Sequence, residues 1–305
     1  MTLEYLHPEE RLSRDELDHL QVQRLRTIVD RAVQAPFYAQ SKDRLTGVDI
    51  RRPEDIRRLP LTTKDDLRSG YPYGFLTRAV SDMVRLHASS GTTGSPTAIL
   101  YTRQDLNTWA DLVARCMFMV GIRPGDTFQN LSGYGLFTGG LGIHYGAERL
   151  GCLTIPAGAG NSKRQIKLLK DFQVQAIHII PSYALRLAQV LQETGWDPES
   201  LALRIALIGA EPHTQEIRAR IEDLFQIKAY NSYGLSEMNG PGVAFECQAQ
   251  NGMHLWEDNF LAEILDPETF EPLPDGELGE LVLTTLNREG MPLLRYRTKD
   301  LTRFI

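Results

Sequence analysis

The 305-residue sequence is poor in cysteine. Cys116, Cys152 and Cys247 are odd in number and far apart, an unsuitable basis for a disulfide framework, so reduced thiols or a metal ligand are the readings left. Excess positive charge is missing too. Against 33 Lys and Arg stand 39 Asp and Glu, a formal net charge of -6, which argues against a nucleic-acid surface built on bulk charge and leaves a local basic groove as its sole form. No stretch approaches the ~18 consecutive apolar residues of a membrane span. The opening "MTLEYLHPEERLSRDELDHL" mixes in acidic residues and has no apolar core. Neither a signal peptide nor a membrane segment is expected, and the cytoplasm is the expected compartment. Internal repeats, low-complexity tracts and long charge runs are absent as well.

What the sequence does have is length and alternation. A chain this long exceeds the usual single core, so one large or two packed domains are expected. Ser13 and Glu16 form a capping-box pair, and Leu17, Leu20, Leu25, Ile28 and Ala32 make an apolar stripe, predicting a helix from about Ser13 to Ala35. "DLNTWADLVARCMFMVG" reads as a second long helix, ended by Gly121 and Pro124. Strand and helix then alternate. "GCLTIPA", "VQAIHII", "RIALIGA" and "IKAYNSYG" read as strands, and "SKRQIKLLKDF", "SYALRLAQVLQE" and "TQEIRARIEDLF" as helices. The fold class is therefore α/β with a parallel sheet, in which ligands bind beyond the carboxyl ends of the strands. Beyond residue 240 the pattern turns to β, with "HLWEDNFLAEILD", the turn "PLPDGELG" and "ELVLTTL" suggesting a hairpin or small barrel. A division into residues 1–240 and a β-rich subdomain 241–305, with a boundary near Pro241, is expected.

The segment "ASSGTTGSPT", residues 88–97, lies between the strand-like "MVRLH" and "AILYT". On composition alone a Ser/Gly tract is a flexible linker. Strands on both sides make it a tight loop, able to turn backbone N–H groups and the hydroxyls of Ser89, Ser90, Thr92 and Thr93 onto one anion. Gly91 and Gly94 permit the positive φ and close approach that this needs. The order G-x-x-x-x-G-K-[ST] is absent and a strand follows, so it is not a Walker A loop.

Taken in order along the chain, "PFY", "SSGTTGSPT", "YGLFTGGLGIHYGAERLG", "GAEP", "NSYGLSEMNGPGVAFEC", "GMHLWEDNF" and "LLRYRTKDLTR" resemble the adenylate-forming enzymes, and within them the phenylacetate-CoA and related aryl-CoA ligases. The resemblance covers essentially the whole chain and corresponds to the large N-terminal portion of such ligases. It implies that a mobile C-terminal domain, carrying a lysine that contacts the forming adenylate, is absent from this sequence. The chain alone would then be poorly active, being either a piece of a longer ligase or naturally short. The implied reaction joins an aromatic carboxylic acid to AMP, releasing pyrophosphate, and passes the acyl group to coenzyme A. Its cofactors and partners are ATP, Mg²⁺, coenzyme A and the acid; the β-region and first helix are compatible with a homodimer.

Roles follow by resemblance. Ser89, Ser90, Gly91, Thr92, Thr93 and Gly94 would wrap the β- and γ-phosphates, with Thr92 counted among the catalytic residues. Where many relatives carry Lys, this chain has Ser95, so one charge near the phosphates is missing. Glu237 would hold Mg²⁺, Ser236 would touch the α-phosphate region, and Tyr233, beside Gly234, would lie against adenine. Read without its neighbours, Glu237 would be an ordinary surface carboxylate. Gly209, Ala210, Glu211 and Pro212 match the adenine-side loop; as plain structure they are a strand-to-helix turn with Pro212 at the first helical position. Asp300 would accept from the ribose hydroxyls, against the plainer reading of a solvated charge among Arg297 and Lys299. The acid pocket would be formed by Tyr134 to Gly140, with Tyr134 and Phe137 as aromatic walls and Gly139 and Gly140 leaving room for a ring. Cys247 and His254, seven apart, suit two ligands of one structural Zn²⁺ that a C-x-C pair outside this sequence would complete. His87, His144 and His178 read as core or pocket-wall residues.

Two other outcomes fit these residues. An adenylating enzyme could deliver its acyl group to a carrier protein or an amine, and a non-catalytic nucleotide-binding module could partner another chain.

Overall fold

A computed structural model describes residues 6–89, 96–195 and 200–305. In chain order the elements are α1 (Arg14–Ala32), α2 (Pro36–Ala39), α3 (Lys42–Thr46), α4 (Lys64–Ser69), β1 (Met83–Ala88), β2 (Ala98–Thr102), α5 (Arg103–Met119), β3 (Thr127–Asn130), α6 (Thr138–Leu150), β4 (Leu153–Ile155) and α7 (Ser162–Asp171). There follow β5 (Ala176–Ile179), α8 (Pro181–Glu193), β6 (Ile205–Gly209), α9 (Gln215–Phe225), β7 (Lys228–Tyr233), β8 (Ala244–Glu246), β9 (Met253–Leu255), β10 (Phe260–Leu265), β11 (Gly279–Thr285) and β12 (Tyr296–Thr302). Among the described residues no helix is long and apolar enough to cross a membrane.

Two compact units divide the chain, Trp109–Leu255 and His7–Thr108 with Trp256–Ile305. The first is built on a sheet of order β4-β3-β5-β6-β7-β8-β9. Its ladders from β4 to β7 are parallel and the last two antiparallel. β3, β5 and β6 are buried along their whole length, which is why "AIHI" and "IALIG" read as continuous apolar runs rather than as alternating ones. Ile166 and Leu169 of α7, Ala184, Leu187 and Leu191 of α8, and Ile221 and Phe225 of α9 pack with Ile177, Ile179, Ala206 and Ile208 of the strands into one core.

Sequence periodicity passes over two elements of this unit. β3 is short and carries Thr127, Gln129 and Asn130, so it has little apolar signal, and α6 holds four glycines in thirteen residues. Helix propensity argues against such a segment; packing reverses it. A Cβ at Gly142 would lie 2.5 Å from the Trp109 ring, and one at Gly146 would lie 2.2 Å from Val113 Cγ1. The glycines let α6 lie close against α5.

In the second unit Ser13 caps α1 as its sequence predicts. Ser13 Oγ accepts from Glu16 N at 3.4 Å and Glu16 Oε2 accepts from Ser13 N at 2.8 Å, while Leu25, Ile28 and Ala32 of the predicted stripe are fully buried. β1 and β2 form the expected antiparallel pair, ending at Ala88 opposite Ala98. β10, β11 and β12 make a three-stranded antiparallel sheet.

The chain changes unit at places other than the boundary expected near Pro241. β8 pairs with β7 through Phe245 and Ser232, and β9 with β8 through His254 and Phe245, so residues just past 241 extend the first unit's sheet and the change falls between Leu255 and Trp256. Reversing strand direction alters the sequence pattern without requiring a new core. Another change of unit falls inside α5.

Candidate functional site

In the first unit, β3 lies between β4 and β5. The chain leaves β3 through α6 toward β4 and returns through α7 to β5 on β3's other side. That makes the carboxyl ends of β3 and β5 the topological switch point, where open α/β sheets place their ligands. A polar cluster occupies it. Asn130, fully buried, sends Nδ2 to Gly140 O at 2.7 Å and to the Tyr134 hydroxyl at 3.0 Å. Its Oδ1 accepts from Ser132 Oγ at 2.8 Å and faces His178 Nδ1 at 3.1 Å, and Ser132 Oγ is also 3.1 Å from that nitrogen. Burial lowers the His178 pKa from 6.5 to about 4, so the ring is neutral at physiological pH. Tyr134 Oη continues the chain to His144 Nδ1 at 3.3 Å, and His144 Nε2 meets Glu148 at 3.1 Å.

Of the residues expected in an acid pocket, Tyr134 and Phe137 are exposed. Partial burial of the phenol nonetheless raises the Tyr134 pKa, opposed by the Asn130 hydrogen bond. Gly139 and Gly140 are buried in the first turn of α6, and the space expected beside Gly140 is taken by backbone. A Cβ there would stand 2.2 Å from Gly133 O; the glycine admits the backbone of the 133–134 loop rather than leaving open space for a ring.

At the carboxyl end of β6, Gly209 pairs with Ser232, and a Cβ would lie 2.5 Å from that residue's Oγ. Ala210 is left-handed at φ 65°, an unfavourable conformation for a residue with a side chain, of the kind that concentrates at ligand-binding turns. Glu211 takes Ser182 N at 3.0 Å and Ser182 Oγ at 2.8 Å, placing a carboxylate at the positive N-terminal end of α8. Pro212 does not begin a helix: α9 starts at Gln215 and Thr214 is its N-cap.

Tyr233 ends β7, half-buried, and the following turn buries Ser236 and Glu237. Ser236 Oγ is 3.5 Å from Thr138 Oγ1 at the start of α6. With 3 % exposure, Glu237 is not the surface carboxylate that its plainest reading predicts. Gly234 admits a close backbone approach, since a Cβ would meet Gly240 Cα at 2.6 Å, and Trp109 Nε1 holds the turn by donating to Pro241 O at 2.6 Å. Glu246, missed in the sequence, is buried and accepts from Asn231 N and Arg218 Nη1, both at 2.7 Å, fixing β7 from β8. Asn130 and Ser132 were missed with β3; the signal that could have found them is a mostly polar run, "QNLSGYG", that begins inside a short strand following a turn.

In the second unit, Ser90, Gly91, Thr92, Thr93, Gly94 and Ser95 lie outside the described residues. Ser89 fastens the loop's base, its N donating to Thr97 O at 3.2 Å and its Oγ lying 2.6 Å from Thr97 Oγ1. Asp300 is exposed on β12, and the Arg297 beside it gives its guanidinium to Glu280 at 2.6 Å.

Cys247 follows β8 and His254 is on β9. Among the described residues no group of three or more His, Cys, Asp or Glu side chains is placed to hold a metal ion.

A parallel sheet with polar side chains and close-approach glycines gathered at the carboxyl ends of β3, β5, β6 and β7 defines a ligand-binding α/β unit of the nucleotide-binding kind. The AMP-binding enzyme family matches residues 20–287, and the chain belongs to it. It is 49% identical over 304 residues to a phenylacetate-coenzyme A ligase of Pseudomonas putida, a match spanning 98% of this chain and 69% of that protein. To the phenylacetate-coenzyme A ligase of Escherichia coli K12 it is 47% identical over 306 residues, with 98% and 70% covered. Among solved structures, a 2-hydroxyisobutyryl-CoA ligase in complex with its acyl-AMP and CoA matches with a TM-score of 0.90 at 30% identity, covering 98% of this chain and 68% of that one.

Proposed function

We propose that this protein is an AMP-forming acid-CoA ligase acting on a small aromatic carboxylic acid of the phenylacetate or substituted benzoate kind. The observation that carries this reading is the 49% identity to a phenylacetate-coenzyme A ligase across 98% of the chain. An acid oxygen attacks the α-phosphorus of ATP, the bond to pyrophosphate breaks, and the coenzyme A thiol then displaces AMP from the acyl carbon.

The attack brings an anion onto an already anionic phosphate, so the site must supply donors and positive charge where charge develops. Ser89, Ser90, Gly91, Thr92, Thr93 and Gly94 take the β- and γ-phosphates, Ser236 the α-phosphate, and Asp300 the ribose hydroxyls. Gly209 to Pro212, Tyr233 and Gly234 flank adenine, and Tyr134 and Phe137 wall the acid. Glu237 would hold Mg²⁺, which when bound neutralises phosphate charge; a buried carboxylate is the hard oxygen ligand this ion takes. With Ser95 in place of a lysine, more of that neutralisation falls to the metal. A zinc on Cys247 and His254 would need two further ligands. The cytoplasm, which holds both ATP and coenzyme A, is the proposed compartment.

The test is mass spectrometry on the full-length gene product with ATP, Mg²⁺, coenzyme A and a panel of aromatic acids. Aryl-AMP and aryl-CoA together are expected, and absence of both across the panel overturns the proposal.

A further inference from the structure

Asp300 is an exposed carboxylate to which the proposed function gives a precise task, so something must hold its backbone in one place. The pairing of β11 with β12 supplies the means. Val282 lies opposite Arg297 and Glu280 opposite Leu301, so two steps along β11 match four along β12, and Thr298, Lys299 and Asp300 bulge out of register. Thr298 Oγ1 donates to Leu281 O at 2.7 Å and accepts from Asp300 N at 3.1 Å. Lys299, in the middle of the bulge, has φ of 65°, an unfavourable conformation for a side-chain-bearing residue that persists where its surroundings enforce it.

Glu280 does the enforcing. Its side chain is 3 % exposed. Oε1 accepts from Lys299 N at 3.1 Å, and the two oxygens take the Arg297 guanidinium as a fork, Nη2 at 2.6 Å and Nε at 3.1 Å from each. The guanidinium also lies over the Phe270 ring, 4.1 Å from its centre. One buried carboxylate thus grips the bulge at its first flank and its apex, with the directional bonds that a charged fork provides.

We propose that Glu280 is a positioning residue for Asp300, setting the bulge that presents the Asp300 carboxylate to the ribose hydroxyls. The inference rests on the proposed ribose role of Asp300. Glu280 acts through Lys299 and Arg297, and its removal is felt as lost recognition of the ribose rather than of the acid.

The test compares ATP with 2′-deoxy-ATP and 3′-deoxy-ATP in acyl-AMP formation, read as the ratio of kcat/KM values. In the unaltered enzyme the deoxy nucleotides are expected to be worse by about tenfold or more, since a carboxylate built to pair hydroxyls is left unpaired without them. Asp300→Ala should erase the difference. Glu280→Gln, which keeps size but loses the charged fork, should raise KM for ATP by about tenfold with KM for the acid unchanged, and shrink the deoxy penalty to within about threefold. Adding Lys299→Gly, which accepts positive φ without strain, should restore part of that penalty. If Asp300→Ala erases discrimination while folded Glu280→Gln keeps all of it, Glu280 has no positioning role. If Glu280→Gln does not fold, Arg297→Lys breaks the fork from the other side with the same expectation, and full discrimination there overturns the proposal equally. Discrimination surviving Asp300→Ala would instead remove the ribose assignment, and no acyl-AMP from the unaltered enzyme would remove the proposed function; these results are distinct from one another.

Discussion

His178 Nδ1 stands 3.1 Å from Asn130 Oδ1, joining the carboxyl ends of β5 and β3 across the switch point of the sheet. Burial holds the folded-state pKa of His178 near 4, against 6.5 for the free ring. The unfolded chain therefore binds the proton first as pH falls. The stability contributed by the neutral ring is complete above pH 6.5 and is lost as pH drops toward 4. Linkage puts the loss at about 2 kcal/mol by pH 5. Urea unfolding at pH 7 and pH 5 should show it in the unaltered protein and a smaller drop in His178→Gln; equal drops would mean that other groups govern the acid limb.

The same cluster reaches Tyr134, whose hydroxyl accepts from Asn130 Nδ2. If Tyr134 walls the acid pocket, Tyr134→Phe keeps the ring and loses the hydroxyl's contacts with Asn130 and His144, a change of about 1 kcal/mol or fivefold in KM for the acid. KM for ATP should not move. Because burial raises the phenol's pKa, it stays protonated through neutral pH and the effect should be flat from pH 6 to 9. A shift in KM for ATP of equal size would place Tyr134 outside the acid pocket.

Gly140 and Gly133 offer a paired test of the close approach that shapes the loop between them. An added Cβ at Gly140 would stand 2.2 Å from Gly133 O, whereas one at Gly133 meets nothing within 4 Å. Gly140→Ala should therefore destabilise by about 2 kcal/mol, the usual cost of forcing atoms into a packed site. Gly133→Ala should leave the melting temperature where it is. Comparable melting temperatures for both variants would show that the loop gives way freely.

How far the sequence announces this architecture depends on what signals each element uses. α1, with its capping box at Ser13 and Glu16, and the buried strands β5 and β6 follow local rules and are legible. β3 and α6 are not, because Gln129 and Asn130 are buried by hydrogen bonding rather than apolarity and because the glycines of α6 answer to Trp109 and Val113 of another helix. The motifs "GAEP" and "YGLSE" begin at the ends of β6 and β7, as their sequence positions predict. Glu246 and Glu280 are isolated letters whose partners, Arg218 and Asn231 for the one and Arg297 and Lys299 for the other, lie 15 to 28 residues away, so no spacing rule could single them out.

Glu237 and Asp300 carry the most direct test of the proposed chemistry. Glu237 is buried in the turn after β7 and Asp300 is exposed on β12, so their replacement should fail differently. Glu237→Gln keeps the shape of a buried side chain and removes the charge that would hold Mg²⁺. Acyl-AMP formation should fall by on the order of 10²-fold, the scale for losing one transition-state contact, and should be partly recovered as Mg²⁺ is raised. Asp300→Ala should fall by a similar order without any response to Mg²⁺, since its proposed task is the ribose. Pyrophosphate release measured over a Mg²⁺ series separates the two. Normal turnover in both variants would remove both assignments, and a Mg²⁺ response in Asp300→Ala alone would exchange their roles.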